Sequence, residues 1–132
     1  MKTDIQKYND AQTTPNMAIC EKLLKLITTG LWKADSKIWH GAPVWFIDGN
    51  PIVGYQVQKA GVRPLFWSGM SFKEKGLSPV GNVEKFKAAG VVYTDESEIV
   101  AKDVKRWLEK SNKIQWDYKN IVKRRGVLVR LK

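Results

Sequence analysis

The only histidine of the chain, His40, lies in the stretch KIWHGAPVWFIDGNPIVGY, which runs from Lys37 to Tyr55 and is rich in aromatic rings. An imidazole beside a loop can titrate near neutral pH or bind a ligand. A catalytic base needs a nucleophile, however, and the serine of FWSGM lacks the first glycine of a nucleophile elbow. No second ligand lies at metal spacing from His40. The sequence therefore predicts no enzyme, no catalytic residue, no metal site and no cofactor, and a structural histidine is the competing interpretation.

Two further candidates for chemistry have structural explanations. Cys20 is the sole cysteine and falls on the apolar stripe of a predicted helix, where a thiol packs as a small hydrophobic group. The acidic run from Asp95 to Glu98 could hold a hard cation, but its first and last residues stand at the spacing of a capping box. We therefore expect Cys20 in the core and the carboxylates at the start of a helix.

Three tryptophans favour a binding face. With loops at residues 41–43, 48–51 and 59–61, strand alternation pairs Trp39 with Trp45, Trp45 with Gly54, and Gly54 with Trp67. Three indoles would then surround a missing side chain and leave a slot for a flat ring, with Arg63 on the polar rim beside two glutamines. The opposite face would be core and would carry Ile38, His40, Val44, Phe46, Val53, Tyr55, Val57 and Phe66.

The residues predicted to bind a ligand are Trp39, His40, Trp45, Gly54, Tyr55, Arg63 and Trp67. A structural interpretation competes with this one, because large rings can pack over a glycine, and a helix that carries Trp107 can fill the gap. The sequence pattern alone does not choose between an open pocket and a packed core.

The elements that must position these residues follow from periodicity. Residues 1–13 are polar and are predicted to be a flexible arm, and residues 14–132 a single domain. Thr14-Pro15 predicts a helix start and Gly30 a left-handed stop. Four short strands, a long loop and a fifth strand through residues 91–93 follow, and two helices end near Asn112 and at Gly126. We expect an α+β fold with a curved antiparallel sheet of about five strands, packed by one N-terminal and two C-terminal helices.

The composition limits the partners. The 132 residues carry a formal net charge of +10, and residues 119–132 form a basic tail, which leaves weak nucleic-acid association as an alternative function. No apolar run approaches the length of a membrane span, and the N-terminus lacks the apolar segment of a signal peptide. We therefore expect a cytoplasmic protein with no membrane partner.

Three strings carry a resemblance to a known family: WHGAPVWF from Trp39, DGNPIVGY from Asp48 and FWSG from Phe66. The sequence resembles the YdhG-like family, a bacterial family of unknown function, from the first helix to about Arg125. The resemblance implies a compact α+β fold with a curved antiparallel sheet and no established catalytic residues. Some relatives are described as frataxin-like iron chaperones, so the resemblance adds an iron carrier to the alternatives.

The leading hypothesis is a non-enzymatic cytoplasmic domain that binds a small ligand or a protein partner on the aromatic face of its sheet. An iron chaperone and a weak nucleic-acid binder that uses the basic tail are the two alternatives.

Overall fold

Residues 35–66 form four consecutive antiparallel strands, of which the second and third are mostly buried. Helices cover one face of the sheet. The computed structural model describes residues 2–132. Its elements are α1 (Asp4–Asp10), α2 (Thr14–Gly30), β1 (Asp35–Trp39), β2 (Ala42–Ile47), β3 (Asn50–Gln58), β4 (Gly61–Phe66), β5 (Ser78–Pro79), β6 (Ala89–Gly90) and α3 (Ala101–Lys113). All strand pairs are antiparallel, in the order β1-β2-β3-β4-β6-β5. The predicted α+β class is confirmed, with six strands in place of about five.

Two tight turns set the register of the sheet. His40 and Gly41 have φ values of 51° and 81°, and Asp48 and Gly49 have 51° and 79°. Positive φ at both central residues defines the turn that matches the twist of a hairpin, and histidine and aspartate tolerate this region better than most residues. The hairpin loops are therefore shorter than the predicted loops at residues 41–43 and 48–51.

The face of the sheet that meets the helices is the main core. On α2, Cys20, Leu23 and Ile27 are buried, as the three-and-four spacing of apolar residues predicted, and Ile19, which that spacing left out, is buried with them. The predicted left-handed stop at Gly30 is wrong, because the φ angle of this residue is not positive. Gly30 allows close packing instead. A Cβ there would lie 2.7 Å from Leu108 Cδ1 of α3. The glycine therefore allows α2 and α3 to approach each other closely.

The predicted flexible arm is wrong for residues 4–10, which form α1. Thr3 caps this helix and exchanges bonds with Gln6 in a capping box. Asn9 is fully buried and accepts a hydrogen bond of 2.7 Å from the Tyr55 hydroxyl, and the hydroxyl of Tyr8 accepts one of 2.9 Å from Val57 N. This helix shows no apolar periodicity in the sequence, because Ile5 is its one buried apolar side chain. The helix was therefore not predicted.

The second predicted C-terminal helix is also wrong. Residues 115–132, here called the C-terminal segment, form turns and an isolated bridge between Trp116 and Arg130. Asn50 holds this segment against the hairpin of β2 and β3. Its side chain donates to Trp116 O and accepts from Tyr118 N and Lys119 N, at 2.9 to 3.0 Å. Backbone groups that a helix would have paired internally are paired with a distant side chain instead.

The remaining predictions fall close to the structure. β6 lies just before the expected strand at residues 91–93, and Tyr93 still bridges to Val62. The capping box of Asp95 and Glu98 is confirmed, although it begins a short 3₁₀ turn that precedes α3. Within residues 2–132, no helix combines the length and the apolar character that a membrane crossing requires.

Candidate functional site

A cavity of about 140 Å³ lies on the outer face of the sheet, the face turned away from the helices. We call it the Gly54 pocket, and none of its lining residues belongs to a helix. The first three strands, β4 and the turn after β4 line it with Trp39, His40, Ala42, Pro43, Val44, Gly54, Tyr55, Gln56, Arg63, Leu65 and Trp67. Six of the seven residues predicted to bind a ligand are therefore brought together.

Aromatic rings form one wall of the Gly54 pocket. The centroids of Trp39 and Trp67 are 6.2 Å apart, and the His40 ring lies 4.3 Å from Trp39. Trp39 also meets Phe46 edge-on at 5.4 Å. Both indoles are only partly buried, so each keeps ring surface that a flat guest could cover.

Gly54 has a structural reason to be glycine. A Cβ at this position would lie 2.4 Å from Pro43 O on the neighbouring strand, a distance that real contacts do not reach. In the register, Gly54 stands between Val44 and Leu65. The bare backbone at the pocket is therefore a consequence of how closely β2 and β3 approach each other.

Arg63 supplies the cationic group of the Gly54 pocket, and its Nε is buried without a hydrogen-bond partner among the described residues. The stem of this side chain packs over Gly90, where an added Cβ would lie 3.3 Å from Arg63 Cγ. A guanidinium carries five donors in a plane and accepts nothing, so it suits a carboxylate, a phosphate or a ring carbonyl. A buried donor without an acceptor is costly, which makes this group the least satisfied part of the site.

Trp45 corrects the sequence prediction, because it lies on the core face and not among the other indoles. Its side chain is 2% exposed, and its ring centroid is 5.9 Å from that of Tyr55. The register pairs Trp45 with Ser36 and Val53, not with Trp39 and Gly54. The predicted loops were too long, and a shift by an odd number of residues moves every side chain of a strand to the other face.

Two further placements are corrections. His40 was expected on the core face but is an exposed turn residue at the rim of the pocket. The Tyr55 phenol lies on the core side, where it donates to Asn9, and burial raises its pKa well above the usual range. Tyr55 therefore contributes to the pocket from its strand and not with its ring.

Sequence reasoning missed four apolar pocket residues, which are Ala42, Pro43, Val44 and Leu65. Val44 and Leu65 flank Gly54 in the register. Val44 had been assigned to the core, together with Phe46, which in fact packs against Trp39. The signal that could have found them was the His-Gly pair, because histidine followed by glycine satisfies a turn with two positive φ values.

Two titratable groups outside the Gly54 pocket, Glu74 and Cys20, have structural explanations. Glu74 accepts hydrogen bonds from Arg106, Lys110 and the Trp107 indole. These donors, with Arg106 first, hold the Glu74 pKa well below its usual range. Burial raises the pKa of the Cys20 thiol to about 12, which removes its nucleophilic form at neutral pH. No group of three or more histidine, cysteine, aspartate or glutamate residues that could hold a metal ion occurs within residues 2–132.

Comparison with known proteins adds no relative: no protein-family model, no curated protein and no solved structure matches the chain.

Proposed function

We propose that this protein binds a small ligand with one flat aromatic or heterocyclic ring in the Gly54 pocket. Trp39 and Trp67 would contact the ring, and Arg63 would bind an acceptor or an anionic group of the ligand. The observation that carries the proposal is a pocket that is walled by two partly exposed indoles and lined by Arg63, whose Nε has no acceptor in the part of the chain described. An acceptor or an anionic group of the ligand would pair with the Arg63 guanidinium.

The size of the Gly54 pocket limits the ligand. A dry engineered cavity of about 150 Å³ holds one benzene molecule, so about 140 Å³ accommodates a single ring. The apolar side chains of Val44 and Leu65 favour a ring over a charged chain, and the guanidinium favours a ring that carries a carbonyl, carboxylate or phosphate group. Nucleobases and aromatic carboxylates meet both conditions.

The proposal is binding and not catalysis. His40 is exposed in a turn, and its ring makes no hydrogen bond to any residue from 2 to 132. A histidine that acts as a base is normally oriented by one partner and lies within reach of a second reacting group. The groups around the pocket supply recognition without supplying either partner.

Isothermal titration against a panel of nucleobases, nucleosides, mononucleotides and aromatic carboxylates tests the proposal. At least one compound is expected to bind. Trp39→Ala and Arg63→Met should each weaken its affinity about tenfold, because stacking on one aromatic side chain contributes about 1–3 kcal/mol. Trp32→Ala is the matched control, since Trp32 is 74% exposed and does not line the pocket. If no compound of the panel binds, or if the affinity is equal in all three variants, the proposal is refuted.

A further inference from the structure

The Gly54 pocket adjoins two more hollows, because neighbouring hollows share lining residues. Trp39 lines both the Gly54 pocket and a second hollow. Ile121 and Val122 line both this second hollow and a third one beside Phe86. We call this row of three neighbouring hollows the track; it leads from the outer face of the sheet onto the C-terminal segment.

Positive charge follows this track. Asp35 is the single carboxylate among the residues that line the track. The five cationic side chains that line it are Arg63, Lys37, Lys119, Lys85 and Arg125. None of the five takes part in an ion pair in the described part of the chain. Lys119 Nζ instead donates to the backbone carbonyl of Asp48 at 2.9 Å. The track thus offers cations that carboxylates do not neutralise.

Aromatic rings lie beside these cations along the track. Trp67, Trp39 and Phe46 follow one another with centroid separations of 6.2 and 5.4 Å. Lys37 Nζ lies 4.9 Å from the Phe46 centroid, and Lys85 Nζ lies 5.5 Å from that of Phe86 at the far end. Val122 is 86% exposed between the second and third hollows. Apolar ring surface and charge are therefore available side by side along the track.

Hydrogen bonds of Tyr118 and Asp117 anchor the C-terminal segment, which carries Lys119 and Arg125. The Tyr118 hydroxyl donates to Trp67 O at 2.5 Å and accepts from Lys87 N at 2.9 Å, which ties the segment to the turn after β4. Asp117 is 3% exposed and accepts from Asn120 and Arg124, which hold the Asp117 pKa below its ordinary value. The segment is an ordered surface, which distinguishes it from the basic tail that the sequence suggested.

We propose that the track binds a single-stranded polynucleotide, with one base in the Gly54 pocket and the phosphates on Lys37, Lys119 and Arg125. This inference rests on the proposed function, because the ring in the pocket becomes one base of a longer chain. Unpaired bases can stack on aromatic side chains while the backbone follows a basic groove. A duplex keeps its bases stacked inside, and an acidic peptide would use the cations but not the rings.

Fluorescence anisotropy with labelled 12-mers tests the occupant. Oligo(dT) and oligo(U) are expected to bind about tenfold more tightly than a duplex of equal length or a 12-residue polyglutamate, because only single strands use both rings and charges. The logarithm of affinity should fall linearly with the logarithm of salt concentration, with a slope of about −0.7 for each phosphate contact. Equal binding of the duplex or of polyglutamate would overturn the inference in favour of unspecific charge attraction.

A pair of charge-matched variants locates the site. Lys37→Gln/Lys119→Gln should weaken binding about fivefold and flatten the salt slope by about 1.4, since two phosphate contacts are lost. Lys102→Gln/Lys105→Gln removes the same charge from exposed positions of α3, on the helical side of the sheet, and should match the wild type. Equal effects of the two double variants would contradict a track.

The outcomes also separate the two proposals. If nucleosides bind in the pocket but 12-mers bind no better than a mononucleotide, the polynucleotide inference fails and the single-ring proposal stands. If 12-mers bind through Lys37 and Lys119 while Trp39→Ala and Arg63→Met have no effect on that binding, no base occupies the Gly54 pocket and the polynucleotide inference fails. The titrations with small ligands then decide the single-ring proposal independently.

Discussion

The two faces of the sheet are built from the same strands, but they differ in how completely their side chains are satisfied. On the core face, Trp45 and Tyr55 are each 2% exposed, and the hydroxyl of Tyr55 has a buried partner in Asn9. On the outer face, Trp39 and Trp67 stay partly exposed, and Arg63 keeps a buried Nε without an acceptor. Neighbouring residues of one strand thus complete the core on one side and leave partly exposed or unpaired groups on the other.

The comparison extends to charge. On the side of the sheet that the helices cover, the Glu74 carboxylate accepts hydrogen bonds from three side chains, and its own side chain is 9% exposed. No comparable acceptor in the described part of the chain meets the Arg63 Nε. A charged group that folding has fully paired has little left to offer a ligand, whereas an unpaired one gains from binding.

The largest effect is expected where the core face loses a ring. Trp45→Ala should lower the free energy of unfolding by about 3–5 kcal/mol, because it leaves a cavity against Tyr55, whereas Trp39→Ala should cost about 1 kcal/mol. Urea denaturation followed by circular dichroism measures both values. Equal costs would mean that the two faces do not differ as described.

Glu74→Gln should come next, with a loss of about 1–3 kcal/mol at neutral pH, because Arg106 and Lys110 lose their shared charge partner. The folded-state pKa of Glu74 lies below its unfolded value near 4.5, so this stabilisation is complete above that value. It is lost as the pH falls toward the folded pKa. The free energies of unfolding of the wild type and of Glu74→Gln, measured between pH 7 and pH 2, should therefore converge at the acid end. A constant difference between them would contradict the lowered pKa of Glu74.

Tyr55→Phe should cost about 1–2 kcal/mol, since it leaves the Oδ1 of buried Asn9 without its donor. The adjacent substitution Gln56→Ala lies on the exposed outer face and should change stability by less than about 0.5 kcal/mol. Thermal unfolding of the two variants compares neighbouring positions of one strand directly. A larger loss of stability for Gln56→Ala than for Tyr55→Phe would contradict the expectation that the core face contributes more to stability than the outer face.

The smallest loss of stability is expected at Arg63. Arg63→Met keeps an apolar stem over Gly90 and removes the unpaired donor, so the free energy of unfolding should stay unchanged or rise by up to about 1 kcal/mol. Chemical denaturation measures this change, and the titrations described above measure the accompanying loss of ligand affinity. A loss of more than about 1 kcal/mol would show that Arg63 serves the fold.

Much of the fold follows from local signals. The buried positions of α2 and α3 repeat at helical spacing, and the capping box of Asp95 and Glu98 is readable from two residues. The positions of Trp39, Gly54 and Trp67 on one face were also predicted correctly. Periodicity succeeds here because each element buries one face against the same core.

The failures come from effects that periodicity does not carry. The His40-Gly41 turn shifted the register and moved Trp45 to the core. A bulge then leaves Ile52 without a partner, because Trp45 pairs with Val53 while Phe46 pairs with Pro51. The unpaired Arg63 Nε depends on the final arrangement of several strands, so no local pattern could have indicated it.

The side-chain amide of Asn50 has a kinetic consequence. Its hydrogen bonds join residues separated by 66 to 69 positions in the chain. Contacts that span such a distance require a large loop to close first, which slows their formation relative to local hairpins and helices. We therefore expect the backbone amides of Tyr118 and Lys119 to gain protection from hydrogen exchange late in refolding, after those of the β2–β3 hairpin.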